Sequence, residues 1–176
     1  MKKGIIITII IIIIAIVLAI FIGRGDKSQN DIPTVASNTS NYNDGENGYM
    51  FKIKNKEIKL NSIFDNTTIG EPKEYSEIPS CAFDGVDKVY TFEDYEIETY
   101  QDGENFRIYS IYFLNENAET AEGIKIGSTL DDVKGIYGEN YEINDTMYTY
   151  ISGKTKLDFI VENNVVTSIT YTLITV

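Results

Sequence analysis

Ile124-Lys125-Ile126-Gly127-Ser128-Thr129-Leu130-Asp131 stands 66 residues after Ile58-Lys59-Leu60-Asn61-Ser62-Ile63-Phe64-Asp65. Both stretches read I-K-[LI]-x-S-x-x-D, and the likeness continues outward. Gly70-Glu71 and Gly138-Glu139 follow, then Tyr90-Thr91-Phe92 and Tyr148-Thr149-Tyr150, then Ser110-Ile111-Tyr112-Phe113 and Ser168-Ile169-Thr170-Tyr171. An internal repeat of this kind marks two copies of one supersecondary unit. In each copy Ser62 or Ser128 is placed as a helix N-cap, with Asp65 or Asp131 three residues later to return a bond and favour the positive helix end. The first helix is expected from about Ile63 to Ile69. In the second, Leu130, Val133 and Ile136 fall on one face, and Gly138 suits a left-handed stop.

Strands are expected after each helix. Leu157, Phe159 and Val161 alternate with Lys156, Asp158 and Ile160, Asn163-Asn164 turns the chain, and Val165, Thr167, Ile169, Tyr171 and Leu173 form the next inward set. In the first copy Tyr95, Ile97 and Thr99 face inward, Asp102-Gly103-Glu104-Asn105 turns, and Tyr109, Ile111 and Phe113 return on the same side. A hairpin from about Tyr49 to Leu60, turning at Asn55-Lys56, extends the first sheet. The expected class is α+β: two tandem small modules, each a short helix followed by an antiparallel β-meander, over about 49–114 and about 120–176.

The run Gly127 to Val133 with Tyr137-Gly138, then Leu157-Asp158-Phe159 and Asn164-Val165-Val166-Thr167-Ser168-Ile169, resembles the helix-plus-sheet module of the β-lactamase-inhibitor-protein superfamily and the related outer-membrane assembly lipoproteins. That module has a G-[ST]-x-x-x-[DE]-V helix start, a Y/L-G stop and a strand pair ending in V-x-x-I. The match covers about 50 residues well, and the first copy loosely. The resemblance implies a scaffold and no site, because the matching residues serve caps, turns and core. The inhibitor family's disulfides are absent, since Cys81 is the single cysteine, and so is a lipid-attachment cysteine.

Ahead of the repeats, Ile5 to Ile22 is apolar at every position but Thr8. As a helix it would be about 27 Å long, close to the thickness of a bilayer core. It reads as a transmembrane anchor over 1–23, with a cleaved signal peptide as the rival reading. Lys2 and Lys3 favour an inside N-terminus and a domain displayed outside the cytoplasmic membrane. Residues 24–48, rich in Asn, Ser, Thr, Gly and Asp without a period, read as a flexible linker to an extracytoplasmic domain over 49–176.

The formal charge is −12, and four of the 15 basic residues but only one of the 27 acidic ones precede Ser28. The remainder is therefore strongly acidic, which opposes nucleic acid and anionic lipid and steers a cationic partner inward. There is no histidine, which removes Ser-His-Asp and Cys-His schemes and the usual zinc sites. Glu93, Asp94, Glu96 and Glu98 could form a hydrolytic carboxylate pair, but alternation with Tyr95 and Ile97 reads better as the charged outer side of a strand. Asp84-Gly85-Val86-Asp87 and Asp102-Gly103-Glu104-Asn105 offer oxygen ligands without calcium-loop spacing. Cys81 reads as a small buried apolar residue. No phosphate-cradling or dinucleotide-binding glycine loop occurs, so no cofactor and no metal are expected.

Tyrosine is the remaining signal, with 13 in a chain that has no tryptophan. Tyr100 and Tyr112 fall on the outward side of the first sheet beside Glu96, Glu98, Ile108 and Ile160. This acidic, aromatic face is the candidate surface for binding a protein or peptide. The alternatives are inhibition of an extracytoplasmic enzyme, implied by the resemblance, and a carboxylate-based hydrolase.

Overall fold

The computed structural model describes residues 48–53 and 55–175. Among the described residues, ten strands and two short helices follow in chain order: β1 (Met50–Ile53), β2 (Lys56–Lys59), α1 (Asn66–Ile69), β3 (Glu74–Pro79), β4 (Val86–Thr91), β5 (Tyr95–Asp102), β6 (Asn105–Phe113), α2 (Leu130–Tyr137), β7 (Glu142–Asn144), β8 (Met147–Ser152), β9 (Thr155–Glu162) and β10 (Val165–Leu173). Strand takes 53% and helix 9% of the described residues, which makes the fold mainly β and corrects the α+β expectation. The two helices span only four and eight residues. They cap a sheet and do not form a layer equal to it.

Eight strands make one antiparallel sheet in the order β3-β4-β5-β6-β10-β9-β8-β7. Each half is thus a short helix followed by four strands, and the halves join edge to edge where Tyr112, Ile111 and Ser110 of β6 pair with Thr170, Tyr171 and Thr172 of β10. Turns are set locally. Asn163 and Asn164 take φ of 51° and 66°, the left-handed pair that a two-residue hairpin needs.

The inner face carries the core: Ile97, Ile111, Phe113, Leu157, Phe159, Ile169 and Tyr171 are fully buried. The β1–β2 hairpin was expected to extend the sheet. It forms a separate two-stranded sheet instead and buries Phe51 against Tyr95, Phe113 and Tyr171. The Tyr49 amide donates to Thr155 Oγ1 at 2.7 Å, so the chain passes close to β9. A Cβ on Gly48 would lie 2.3 Å from that oxygen and 2.8 Å from the Ser152 carbonyl, which only glycine avoids.

Helix α2 starts one residue later than the spacing suggests. Thr129, and not Ser128, is the N-cap, in a reciprocal capping box with Asp132. The Ser128 hydroxyl is engaged one turn earlier, accepting from the Lys125 amide. The buried helix residues are accordingly Val133 and Tyr137, while Ile136 is exposed. In the first copy Asp65 caps α1 by accepting from the Thr67 amide, while the Ser62 hydroxyl donates to the Lys59 carbonyl. Tyr137 packs against Tyr49, Tyr150 and Phe159. Its hydroxyl lies 2.9 Å from Thr120 Oγ1 and 2.5 Å from Glu122 Oε2. Tyr137→Phe keeps the ring and removes these hydroxyl bonds, so it should cost about 1–2 kcal/mol, read from the shift in a urea-unfolding midpoint.

The expectation of a single-pass membrane protein, anchored at 1–23 with its domain outside, is also corrected. Among the described residues no helix is long and apolar enough to cross a membrane. Residues 5–22, on which that expectation rests, and the linker over 24–47 lie outside the described residues.

Candidate functional site

The sheet's other side, hereafter the outer face, is assembled by register. Glu96 on β5 pairs with Tyr112 on β6, which pairs with Thr170 on β10, itself paired with Asp158 on β9. One step along, Val89, Glu98, Ser110, Thr172 and Lys156 form the next row, and Asp87, Tyr100 and Arg107 begin a third. All four residues expected to bind a partner, Glu96, Glu98, Tyr100 and Tyr112, therefore share one face. Period-two alternation brings them there.

Two neighbours change sides. A bulge in β6 opposite Glu98 and Thr99 moves Ile108 into the core, where it is buried beside Thr99. It turns Tyr109 outward to meet Phe83 edge-on at 5.3 Å. Ile160 keeps its outward position opposite Ser168. Tyr109 was expected inside, and it instead joins the site.

The segment from Ser80 to Gly85 connects β3 to β4 and lies over this face. Phe83 stacks on Tyr100 with ring centroids 4.0 Å apart. The Tyr100 hydroxyl donates to Asn61 Oδ1 at 2.6 Å, so this ring is fixed at both ends. Cys81 on the same segment is exposed, not buried as expected, because the loop offers it no core to enter. Tyr112, 37% exposed, is the more open ring.

Three carboxylates share this face on the neighbouring strands β4 and β5. Burial, then repulsion from Asp87 and Glu96, pushes the Glu98 carboxyl up to about 7. Burial also raises Glu96, with the Thr91 hydroxyl at 3.0 Å partly offsetting it. Asp87, 6% exposed, is raised by burial and eased by Ser80. Its Oδ1 is buried without a hydrogen-bond partner. Tyr109 is raised by burial and by the nearby Glu98 and Asp87.

Glu93 and Asp94 do not join this group. They sit in the β4–β5 turn, where Glu93 pairs with Lys73 and the Asp94 carboxylate accepts from the Asn117 amide. Among the described residues, no three acidic or cysteine side chains converge closely enough to hold a metal ion. Of the four acidic residues named for a hydrolytic pair, Glu96 and Glu98 share this face and Glu93 and Asp94 do not.

No protein family, curated protein or solved structure matches this chain. The resemblance to the β-lactamase-inhibitor-protein superfamily gains no support from these comparisons.

Proposed function

We propose that this chain is a non-enzymatic interaction module that binds a protein or peptide across the outer face of its eight-stranded sheet. The observation that supports this most directly is Tyr112, an open ring on a central strand, paired with Glu96 and flanked by Thr170. Tyrosine there is large, stiff and half polar, so it gives contact area at low entropic cost. Thr91, Ser110 and Thr170 around it supply adaptable hydrogen bonds, and the three carboxylates favour a partner that carries positive charge.

Binders selected from a random peptide library against the immobilised chain test this reading. Tyr112→Ala should weaken the selected peptides about tenfold, the size of a contact-residue truncation. Tyr75→Ala, exposed on the opposite face, should leave them unchanged. Equal binding by parent and Tyr112→Ala sinks the assignment. Glycoside or peptide turnover lost on Glu96→Gln would replace it with the hydrolase.

A further inference from the structure

Three carboxylates without a cation, one of them buried with an unpaired oxygen, ask for a positively charged ligand. Among the described residues the ion pairs are Lys73–Glu93, Lys88–Glu77, Arg107–Asp102, Lys134–Glu139 and Lys156–Asp158. None reaches Asp87, Glu96 or Glu98. A buried carboxylate oxygen with no donor is costly, and nine-tenths burial of Asp87 leaves water little access to it.

Resting on the interaction reading above, we propose that Asp87 and Glu98, walled by Tyr100 and Tyr109 and rimmed by the Ser80–Gly85 loop, receive the guanidinium of an arginine presented by the partner. The chemistry selects among cations. A divalent metal needs several converging oxygens, which the described residues do not offer. A guanidinium is planar, carries five donors in a fork that serves two carboxylates at once, and stacks on aromatic rings. Phe83, stacked on Tyr100 and edge-on to Tyr109, makes the rim of this acidic group aromatic.

The site couples binding to pH. Glu98 faces Asp87 on β4, Glu96 on its own strand and Tyr109 on β6, and Ser80 at the loop's start bonds to Asp87. The cation sharing this face on β6, Arg107, is held by Asp102 at 2.5 Å and by the Asn61 carbonyl at 2.9 Å. The second, Lys156 on β9, is paired with Asp158. With its carboxyl near 7, Glu98 must give up a proton before it pairs with an arginine. Association therefore strengthens as pH rises through that value.

The test is a calorimetric or NMR titration of the full chain with a tetra-arginine amide, with tetracitrulline and tetralysine amides as comparisons. Tetra-arginine should bind, and about tenfold more weakly at pH 6 than at pH 8, the ratio of ionised Glu98 at those pH values. Tetracitrulline should be silent, and tetralysine weaker than tetra-arginine. Glu98→Gln should abolish the pH dependence and Asp87→Asn should lower affinity at pH 8, with circular dichroism confirming that both variants fold. Equal binding of citrulline and arginine, no binding at all, or an unchanged pH profile in Glu98→Gln overturns the assignment. Selected peptides that depend on Tyr112 but lack arginine would overturn it while leaving the interaction module standing.

Discussion

Phe51→Ala is expected to lower unfolding stability by about 3–5 kcal/mol, the range for deleting a buried phenylalanine ring. Phe51 is 3% exposed and touches three rings on three adjacent strands: Tyr95 on β5, Phe113 on β6 and Tyr171 on β10, with centroids at 5.1, 5.2 and 6.1 Å. It therefore covers the seam where the halves of the sheet join. Removing it forfeits the transfer energy of the ring and leaves a cavity that three fixed aromatic neighbours cannot collapse into. The β1–β2 hairpin also loses its largest anchor, and an isolated hairpin is marginal in water. Domains of this size are stable by about 5–15 kcal/mol, so the loss is a large share. Urea unfolding followed by tyrosine fluorescence measures it. Ile143→Ala, at a residue 58% exposed, should stay within about 0.5 kcal/mol. A Phe51→Ala cost as small as that would mean that the hairpin does not seal the seam.

That hairpin shows where the sequence stops being informative. Its apolar alternation, with Phe51, Ile53 and Ile58 buried, was readable as strand, but alternation names a buried side without naming what covers it. Whether the hairpin adds to a sheet edge or lies across a face depends on partners far along the chain. The fold class went astray for a related reason. Two capping signatures were legible, but a cap announces a helix start and not its length, and both helices end within eight residues. The turns at Asp102-Gly103 and Asn163-Asn164 were legible because the left-handed conformation restricts residue type locally.

The candidate site divides the same way. That Glu96, Glu98, Tyr100 and Tyr112 share one face was legible because strict alternation with Tyr95, Ile97, Ile111 and Phe113 fixes their side. Tyr109 was misassigned, and Val165 and Thr167 fell outside the core, because β6 and β10 each carry a register shift. A bulge arises from pairing between strands and leaves no local mark. Asp87 reads from sequence only as a weak oxygen ligand in Asp84-Gly85-Val86-Asp87, not as a member of this face. On β4 the outward Asp87, Val89 and Thr91 and the inward Lys88 and Tyr90 differ little in polarity, so the strand does not say which side it buries. Its only local signal was proximity to Asp84-Gly85, which reads first as a turn.

Glu98→Gln is expected to stabilise the protein by about 2–3 kcal/mol at pH 8 and to have almost no effect near pH 4. The Glu98 carboxyl lies near 7 in the folded chain against an ordinary 4.5, chiefly through burial and then through Asp87 and Glu96. At about 1.4 kcal/mol per pH unit, that difference sets the upper size of the effect. Below the ordinary value both folded and unfolded chains hold the proton, and the group is neutral to stability. Between about 4.5 and 7 the unfolded chain has released the proton while the folded chain retains it, so unfolding releases a proton and rising pH favours the unfolded state. Above 7 both are ionised and the loss levels off at its full value. Glutamine has the shape of the protonated acid and never ionises, so the variant's advantage should grow from pH 4.5 to 7 and then stay constant. Urea midpoints at pH 4, 6 and 8 trace that curve. A gain that does not change with pH would assign the effect to packing, and destabilisation at pH 8 would mean that the ionised carboxylate has a donor in the free protein, leaving no unmet charge for an arginine to satisfy.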